Sequence, residues 1–204
     1  MLFDDTFLTV KQQAESIYTD RGSKFIAFAF PITTEAEIKP LVLQLKALHP
    51  KANHHCWATR LSPDRSVFKV NDDGEPSGTA GRPILNVLLS KNITNTLVVV
   101  VRYFGGKLLG VPGLINAYKT ATEQAINAAG VTEQVSNDVY SIEFDYLMMN
   151  DVMRIVKEEG LSILSQTADN TCSITVSVRK SKVNQTIDRL NSLNNIQAKF
   201  LYSI

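Results

Sequence analysis

Two glycine-rich segments combine backbone freedom with charged and hydroxyl side chains, which suits the binding of an anion. We call Asp72–Pro83 (DDGEPSGTAGRP) the first glycine loop and Arg102–Gly113 (RYFGGKLLGVPG) the second glycine loop. Together they hold seven of the ten glycines in the chain. Glycine lets the backbone approach a ligand closely, and each loop precedes an expected helix, whose N-terminus attracts anions. If the two loops converge, a phosphate or a nucleic-acid backbone could lie across them.

The side chains of both loops supply the candidate binding residues. They are Asp72, Asp73, Glu75, Ser77, Thr79 and Arg82 in the first glycine loop, and Arg102, Tyr103 and Lys107 in the second. The basic residues suit phosphate contacts, and Tyr103 with Phe104 could stack on bases. The three carboxylates could instead hold Mg²⁺, pair with the arginines or meet a basic protein partner. Neither loop has the spacing of a Walker A or GxGxxG motif, and the alternative is that the glycines only make turns.

His54, His55 and Cys56 are adjacent on an expected strand, where successive side chains point to opposite faces. The three residues therefore cannot hold one zinc ion, and we expect no metal or cofactor. We expect Cys56 to be a small core residue and one histidine to line a groove. Either His54 or His55, beside the acidic residues of the first glycine loop, could transfer protons.

The composition limits the kinds of protein that the chain can be. The chain has 204 residues, of which 44% are hydrophobic and 20% charged, values typical of a globular protein. The net charge of +1 argues against a general basic coat for nucleic acid. No apolar run is long enough for a bilayer, and the N-terminus does not have the pattern of a secretory signal. With only two cysteines, far apart in sequence, we expect a cytoplasmic protein without disulfides.

Strands and helices of the first half must position the two loops. Apolar patterns predict strands at Phe7–Tyr18, Lys24–Ile32, His54–Leu61, Ser66–Val70 and Thr96–Phe104, and helices over 38–48, 84–89 and about 112–129. A polar turn at 19–23 joins the first two strands, and Pro63-Asp64 closes a hairpin. The strand that separates the loops is apolar at nearly every position, so we expect it to be central and covered on both faces.

The second half follows a different plan. Gly130–Asn137 is polar and without periodicity, so we place a domain boundary there, between domains at 1–132 and 138–204. The later pattern predicts strands Val139–Tyr146, Leu161–Gln166, Cys172–Val178 and Ile196–Tyr202, with helices Met149–Glu159 and Val183–Leu193. A turn at Ala168-Asp169-Asn170 joins the middle two strands. The order βαββαβ is that of the ferredoxin-like fold, and the whole chain is of the α+β class.

Four sequence blocks resemble a known family. They are SKFI at Ser23–Ile26, HPKANHHCWA at His49–Ala58, DDGEPSGTAGRPIL at Asp72–Leu85, and VVVVRYFGGKLLGVPGLINAY at Val98–Tyr118. Together they resemble the YigZ/IMPACT family, with this chain similar to its bacterial members. The resemblance implies an N-terminal α/β sandwich similar to the second domain of a small-subunit ribosomal protein and to domain four of elongation factor G. It implies a ferredoxin-like domain similar to the last domain of that factor.

The resemblance and the residues leave three functions open. Eukaryotic IMPACT proteins act in translational control, which implies a translation-associated binding protein that contacts RNA or the ribosome through the glycine loops. An alternative is a hydrolase or phosphate-ester enzyme that uses the acidic residues with His54 or His55. A third is an adaptor whose acidic loop meets a basic protein. The residues favour a binding protein over an enzyme and do not give the oligomeric state.

Overall fold

A computed structural model describes residues 5–62, 64–168, 172–193 and 196–204 of the chain. These residues divide into two compact units. The N-terminal unit is Phe7–Gln134, and the C-terminal unit is Val135–Ile204 together with Asp5 and Thr6. The described residues form five α-helices and eleven strands, which confirms the α+β class. None of these helices has both the length and the apolar content needed to cross a bilayer.

The N-terminal unit is built on one antiparallel sheet. Its strands are β2 (Ala14–Asp20), β3 (Ser23–Pro31), β4 (His54–Leu61), β5 (Val67–Asn71) and β6 (Thr96–Tyr103), in the order β2-β3-β6-β4-β5. Helix α1 (Ile38–Leu48) follows β3, helix α2 (Gly81–Ser90) follows the first glycine loop, and helix α3 (Gly110–Ala129) begins inside the second.

Strand β6 is the centre of this sheet, as the apolar run predicted. Val98 and Val100 belong to one core cluster, which they share with residues of α2 and α3. Val99 and Val101 belong to another, which they share with Ile38 and Leu45 of α1. The strand is buried on both faces because helices cover both sides of the sheet. Arg102, near the C-terminal end of β6, therefore lies at the edge of the core.

Two local predictions were wrong. The run from Phe7 to Tyr18 is not one strand, because it breaks after β1 (Thr6–Val10) and resumes at β2. The segment expected to lack regular structure contains β7 (Val131–Val135), which pairs with β1 in a separate two-stranded sheet. Four of the five β7 residues are exposed, so the hydrophobic alternation that signals a strand is weak there.

The C-terminal unit has the predicted ferredoxin-like plan. Its elements are β8 (Asn137–Phe144), α4 (Met149–Glu159), β9 (Ser162–Ala168), β10 (Cys172–Arg179), α5 (Val183–Asn191) and β11 (Gln197–Ser203). The antiparallel sheet has the order β11-β8-β10-β9, and its buried residues form a core of their own. The expected turn residues Asp169 and Asn170, like Pro63 in the first half, lie outside the described residues.

Candidate functional site

The two glycine loops meet at a pocket of about 480 Å³ in the N-terminal unit. Its polar lining comes from Asn53, His54, Glu75 and Arg102, and its apolar lining from Pro76, Phe104, Leu108, Leu109, Val111 and Leu114. The volume lies in the range of about 300–1,000 Å³ that is usual for small-molecule sites. A few polar groups at an otherwise apolar pocket are also typical of such sites.

The sheet register places His54 and Arg102 side by side at this pocket. His54 opens β4 and is the antiparallel partner of Arg102 near the end of β6. Cys56 and Ala58, which alternate with His55 and Trp57 along β4, are buried in the core beside α2 and α3. The adjacent histidines consequently point to opposite faces of the sheet, as their spacing predicted.

Glu75 and Arg102 form a buried ion pair that joins the two loops. Arg102 Nη1 donates to Glu75 Oε1 at 2.6 Å, and Tyr118 Oη donates to the same oxygen at 2.8 Å. The side chains of Glu75 and Arg102 are 3% and 6% exposed. Charges removed from water this completely need a partner, so each residue fixes the conformation of the other.

The guanidinium of Arg102 is also held between two aromatic rings. Its Cζ atom lies 5.4 Å from the centre of the Phe25 ring and 5.6 Å from that of Phe104. Arg102 Nη2 lies 3.5 Å from Ser23 Oγ, and Nε is buried without a hydrogen-bond partner among the described residues. Arginine stacks on aromatic faces more readily than lysine. Phe104 is nevertheless 45% exposed, so part of its surface stays open to solvent.

Tyr118 and Cys56 lie behind the ion pair. The Cys56 thiol donates to the carbonyl of Asp72 at 2.9 Å, and its sulfur is 3.3 Å from Tyr118 Oη. Burial raises the pKa of the Cys56 thiol far above its usual value, and nearby Glu75 raises it further. Burial likewise raises the pKa of Tyr118. Both groups stay protonated at neutral pH, and Cys56 is a core residue rather than a nucleophile.

His54 is oriented by the first glycine loop. Its Nδ1 lies 2.9 Å from the carbonyl oxygen of Asp73, and since a carbonyl only accepts, Nδ1 carries the hydrogen. The other nitrogen, Nε2, is 3.9 Å from Glu75 Oε1. In the neutral ring Nε2 is therefore an acceptor at the pocket.

Asp72 stabilises the first glycine loop and does not line the pocket. Its Oδ1 accepts hydrogen bonds from the amides of Ala80 and Gly81 at 3.1 and 2.8 Å, and its Oδ2 accepts one from Gly78 at 2.8 Å. The amides of Ala80 and Gly81 lie at the start of α2, where N–H groups lack intrahelical partners. The carboxylate therefore holds the first glycine loop against the helix it precedes.

Asp73 and His55 form a second cluster, apart from the pocket. Asp73 accepts hydrogen bonds from the His55 amide at 2.7 Å and from Lys46 at 3.0 Å. Burial alone would raise the pKa of Asp73, but these hydrogen bonds outweigh it and hold the pKa below its usual value. Burial lowers the pKa of His55, and its Nε2 has no hydrogen-bond partner among the described residues.

The remaining predicted residues are scattered around the pocket. Ser77, Arg82 and Lys107 are exposed on the loops or α2. Thr79 is buried and donates to the carbonyl of Pro76 at 2.7 Å. Tyr103 lies on the α1 face of the sheet, with its hydroxyl 3.0 Å from His49 Nδ1. Of the eleven predicted residues, three line the pocket, namely His54, Glu75 and Arg102.

Comparisons with known proteins identify the family. Residues 21–126 match the model of the Impact N-terminal domain. The chain belongs to the IMPACT family. The IMPACT family member YvyE of Bacillus subtilis is 35% identical over 153 residues, which are 75% of this chain and 70% of YvyE. The IMPACT family member YigZ of Escherichia coli is 29% identical over 165 residues, or 80% and 81% of the two chains.

Both units of this IMPACT-family chain have a counterpart in a solved structure. A crystal structure described as that of a hypothetical protein superposes with a TM-score of 0.74 and 25% identity, covering 97% of this chain and 98% of that one. Among the residues that our structure describes, no group of three or more His, Cys, Asp and Glu side chains is placed to hold a metal ion.

The sequence did not show the roles of three residues in or beside the pocket. Tyr118 is fully buried in α3. In the sequence, only its position on the apolar face of the helix indicated that it would face the core. Asn53 Oδ1 accepts the amide of Phe104 at 2.8 Å and so fixes the start of the second glycine loop. Gly105 packs so tightly on Gly22 that a Cβ at Gly105 would lie 1.9 Å from the Gly22 carbonyl carbon.

Four exposed basic residues occupy the end of the sheet at which this pocket opens. Arg21 is in the β2–β3 turn, Lys24 is the second residue of β3 and lies opposite Tyr103, Lys51 is in the turn before β4, and Lys107 is in the second glycine loop. In the described part of the chain, none of the four makes an ion pair. We call these four residues the basic end.

Proposed function

We propose that the chain acts in the regulation of translation by binding RNA, free or within the ribosome, through the glycine-loop surface of the N-terminal unit. The basic end carries this proposal, because its four cations are exposed and make no ion pair within the described residues. Such cations bind nucleic acid by neutralising phosphates and releasing counterions. A net charge near zero for the whole chain does not oppose this, since the relevant field is local.

Nearby carboxylates offset the basic end only in part. Asp73 is paired with Lys46, and Glu75 is paired with Arg102. Asp72 is occupied by backbone amides of the first glycine loop. Asp20 directly precedes Arg21 and offsets one of the four cations. The end of the sheet thus keeps an excess of positive charge toward an approaching phosphate backbone.

Family membership supports the translational part of the proposal, because the family resemblance implies a role in translational control. The fold that the resemblance implies, with its likeness to domains of a ribosomal protein and of elongation factor G, is consistent with contact to ribosomal RNA. Likeness of fold is an analogy, so the basic end remains the physical basis of the proposal.

The structure changes which residues should contact RNA. Arg102 was a candidate phosphate contact, but its guanidinium is buried and bonded to Glu75. Lys107 is exposed and free to contact a phosphate, and Lys51 and Lys24 are further contacts outside the glycine loops. If an Arg102 variant lost RNA binding, the cause could be a changed pocket structure as well as the lost charge.

The test measures RNA and ribosome binding of Lys51→Ala/Lys107→Ala over a series of salt concentrations. On single-stranded RNA, the slope of log affinity against log salt should fall by about 0.7 for each phosphate that is no longer neutralised. The matched control is Lys39→Ala/Lys91→Ala, which removes the same charge from exposed lysines where α1 begins and α2 ends. These lysines lie toward the opposite end of the sheet.

Two results would overturn the proposal. One is the absence of RNA and ribosome binding at low salt by the unmodified protein. The other is equal weakening by the test and control variants, since that would show a general charge effect. If a partner persists in pull-downs after nuclease treatment, a protein adaptor explains the surface better than RNA does.

A further inference from the structure

The pocket between the glycine loops differs in character from the basic end beside it. Its two full charges, on Glu75 and Arg102, are buried and neutralise each other at 2.6 Å. A phosphate would gain little there, because Arg102 is already paired and Glu75 would repel it. The occupant expected from this electrostatic balance is a neutral group.

The polar atoms of the pocket that are still unsatisfied are acceptors. Glu75 Oε1 receives two hydrogen bonds, whereas Oε2 receives none from the part of the chain that the structure describes. His54 Nε2 is an acceptor in the tautomer that Asp73 selects. A ligand with hydrogen-bond donors along one edge would satisfy these acceptors.

The remaining surface is apolar and includes an open aromatic ring. Phe104 packs on the Arg102 guanidinium yet is 45% exposed, and Leu108 and Val111 beside it are 84% and 52% exposed. Planar heterocycles stack on such rings. Because the Phe104 amide donates a hydrogen bond to Asn53 Oδ1, the backbone of Phe104 is fixed just after β6 before any ligand arrives.

We propose that this pocket receives one unstacked nucleobase of an RNA whose backbone follows the basic end. The inference rests on the proposed function and adds a specific recognition element to it. Nucleobases are neutral and planar and carry hydrogen-bond donors on one edge, as the pocket requires. Single-stranded RNA is commonly recognised in this way, with a splayed base stacked on an aromatic ring and hydrogen-bonded at its edge. The pocket volume of about 480 Å³ accommodates one base.

The experiment compares uridine oligomers that differ only at one central nucleotide, which is adenosine, guanosine, cytidine, uridine or an abasic site. At least one base should bind about tenfold more tightly than the abasic RNA, because stacking on an aromatic side chain contributes on that scale. Val111→Trp should fill the pocket and bring the affinity for that base down to the abasic value. The salt dependence should be unchanged, since no charge is altered.

Ile115→Trp is the matched control. It lies one helical turn after Val111 on α3, is 40% exposed, and lines a separate groove with Pro83 and Val87. It should leave the base preference intact. If the unmodified protein binds RNA but binds base-containing and abasic oligomers equally, or if Val111→Trp and Ile115→Trp behave alike, the pocket inference is wrong and the RNA-binding proposal stands. If no RNA binds at low salt, both are wrong.

Discussion

Glu75 Oε1 lies 2.6 Å from Arg102 Nη1, and both side chains are almost completely buried. This ion pair joins the first part of the first glycine loop to the end of β6. Since Tyr118 donates to the same carboxylate oxygen, α3 is tied to the pair as well. Three elements of the N-terminal unit therefore meet at one carboxylate, and the pocket shape depends on it.

Removal of one member of this pair should destabilise the N-terminal unit strongly. Arg102→Ala leaves the Glu75 carboxylate buried without its cation, which typically costs about 3–5 kcal/mol. Urea unfolding with a probe in the N-terminal unit, such as Trp57 fluorescence, measures the loss. The double variant Arg102→Met/Glu75→Gln removes both charges and should lose less than Arg102→Ala alone. A loss below about 1 kcal/mol for Arg102→Ala would contradict the structural role given to the pair.

Neighbouring glycines in the second loop should differ sharply in their tolerance of alanine. A Cβ at Gly105 would lie 1.9 Å from the carbonyl carbon and 2.2 Å from the carbonyl oxygen of Gly22, so the two turns must separate. A Cβ at Gly106 meets nothing within 4 Å, and its only penalty is a φ of +80°. That conformation costs an L-residue about 1–2 kcal/mol.

Gly105→Ala should therefore lower the free energy of unfolding more than Gly106→Ala does. Gly105→Ala should also weaken RNA binding, because it separates Arg21 and Lys107 within the basic end. Equal stabilities for the two variants, measured by urea unfolding, would show that the turns do not pack as closely as the structure indicates.

The sequence singled out the two glycine loops but did not show that they converge, and it did not assign their chemistry. Each loop adjoins a strand and leads into a helix, but whether the loops meet depends on the order of the strands in the sheet, which local patterns do not give. Arg102 and Lys107 look alike in the sequence, yet one is buried in an ion pair and the other is exposed. Only the register of β4 against β6 places Arg102 over the core. Tyr118 was missed because a tyrosine on the apolar face of a helix is usually core.

The cysteine at the back of the site should be unreactive in the folded protein. Burial raises the pKa of Cys56 far above its usual value, so almost no thiolate forms between about pH 7 and 9. Cys172 is also buried. Alkylation with iodoacetamide, followed by mass spectrometry, should modify both cysteines in urea and neither under native conditions. Rapid native modification of Cys56 would show that the core behind the ion pair opens frequently.

The C-terminal unit should become less stable in acid because of Asp5. Arg179 donates to both Asp5 oxygens, at 2.6 and 3.1 Å, and these hydrogen bonds hold the pKa of Asp5 well below its usual range. A carboxyl whose pKa is lower in the folded state stabilises that state above its unfolded pKa of about 4. The contribution falls as the pH drops below that value toward the folded pKa.

Asp5→Asn should therefore be less stable than the unmodified protein at pH 7, and the difference should shrink between about pH 4 and pH 2. Urea unfolding of the C-terminal unit at several pH values measures this, with Tyr146→Trp and Trp57→Phe in every protein compared, so that the single tryptophan is at the exposed position 146. Asp151→Asn is the matched control, since Asp151 forms an exposed i,i+3 pair with Arg154, and such pairs contribute little. A constant difference between Asp5→Asn and the unmodified protein across the whole pH range would rule out titration of Asp5 as the cause.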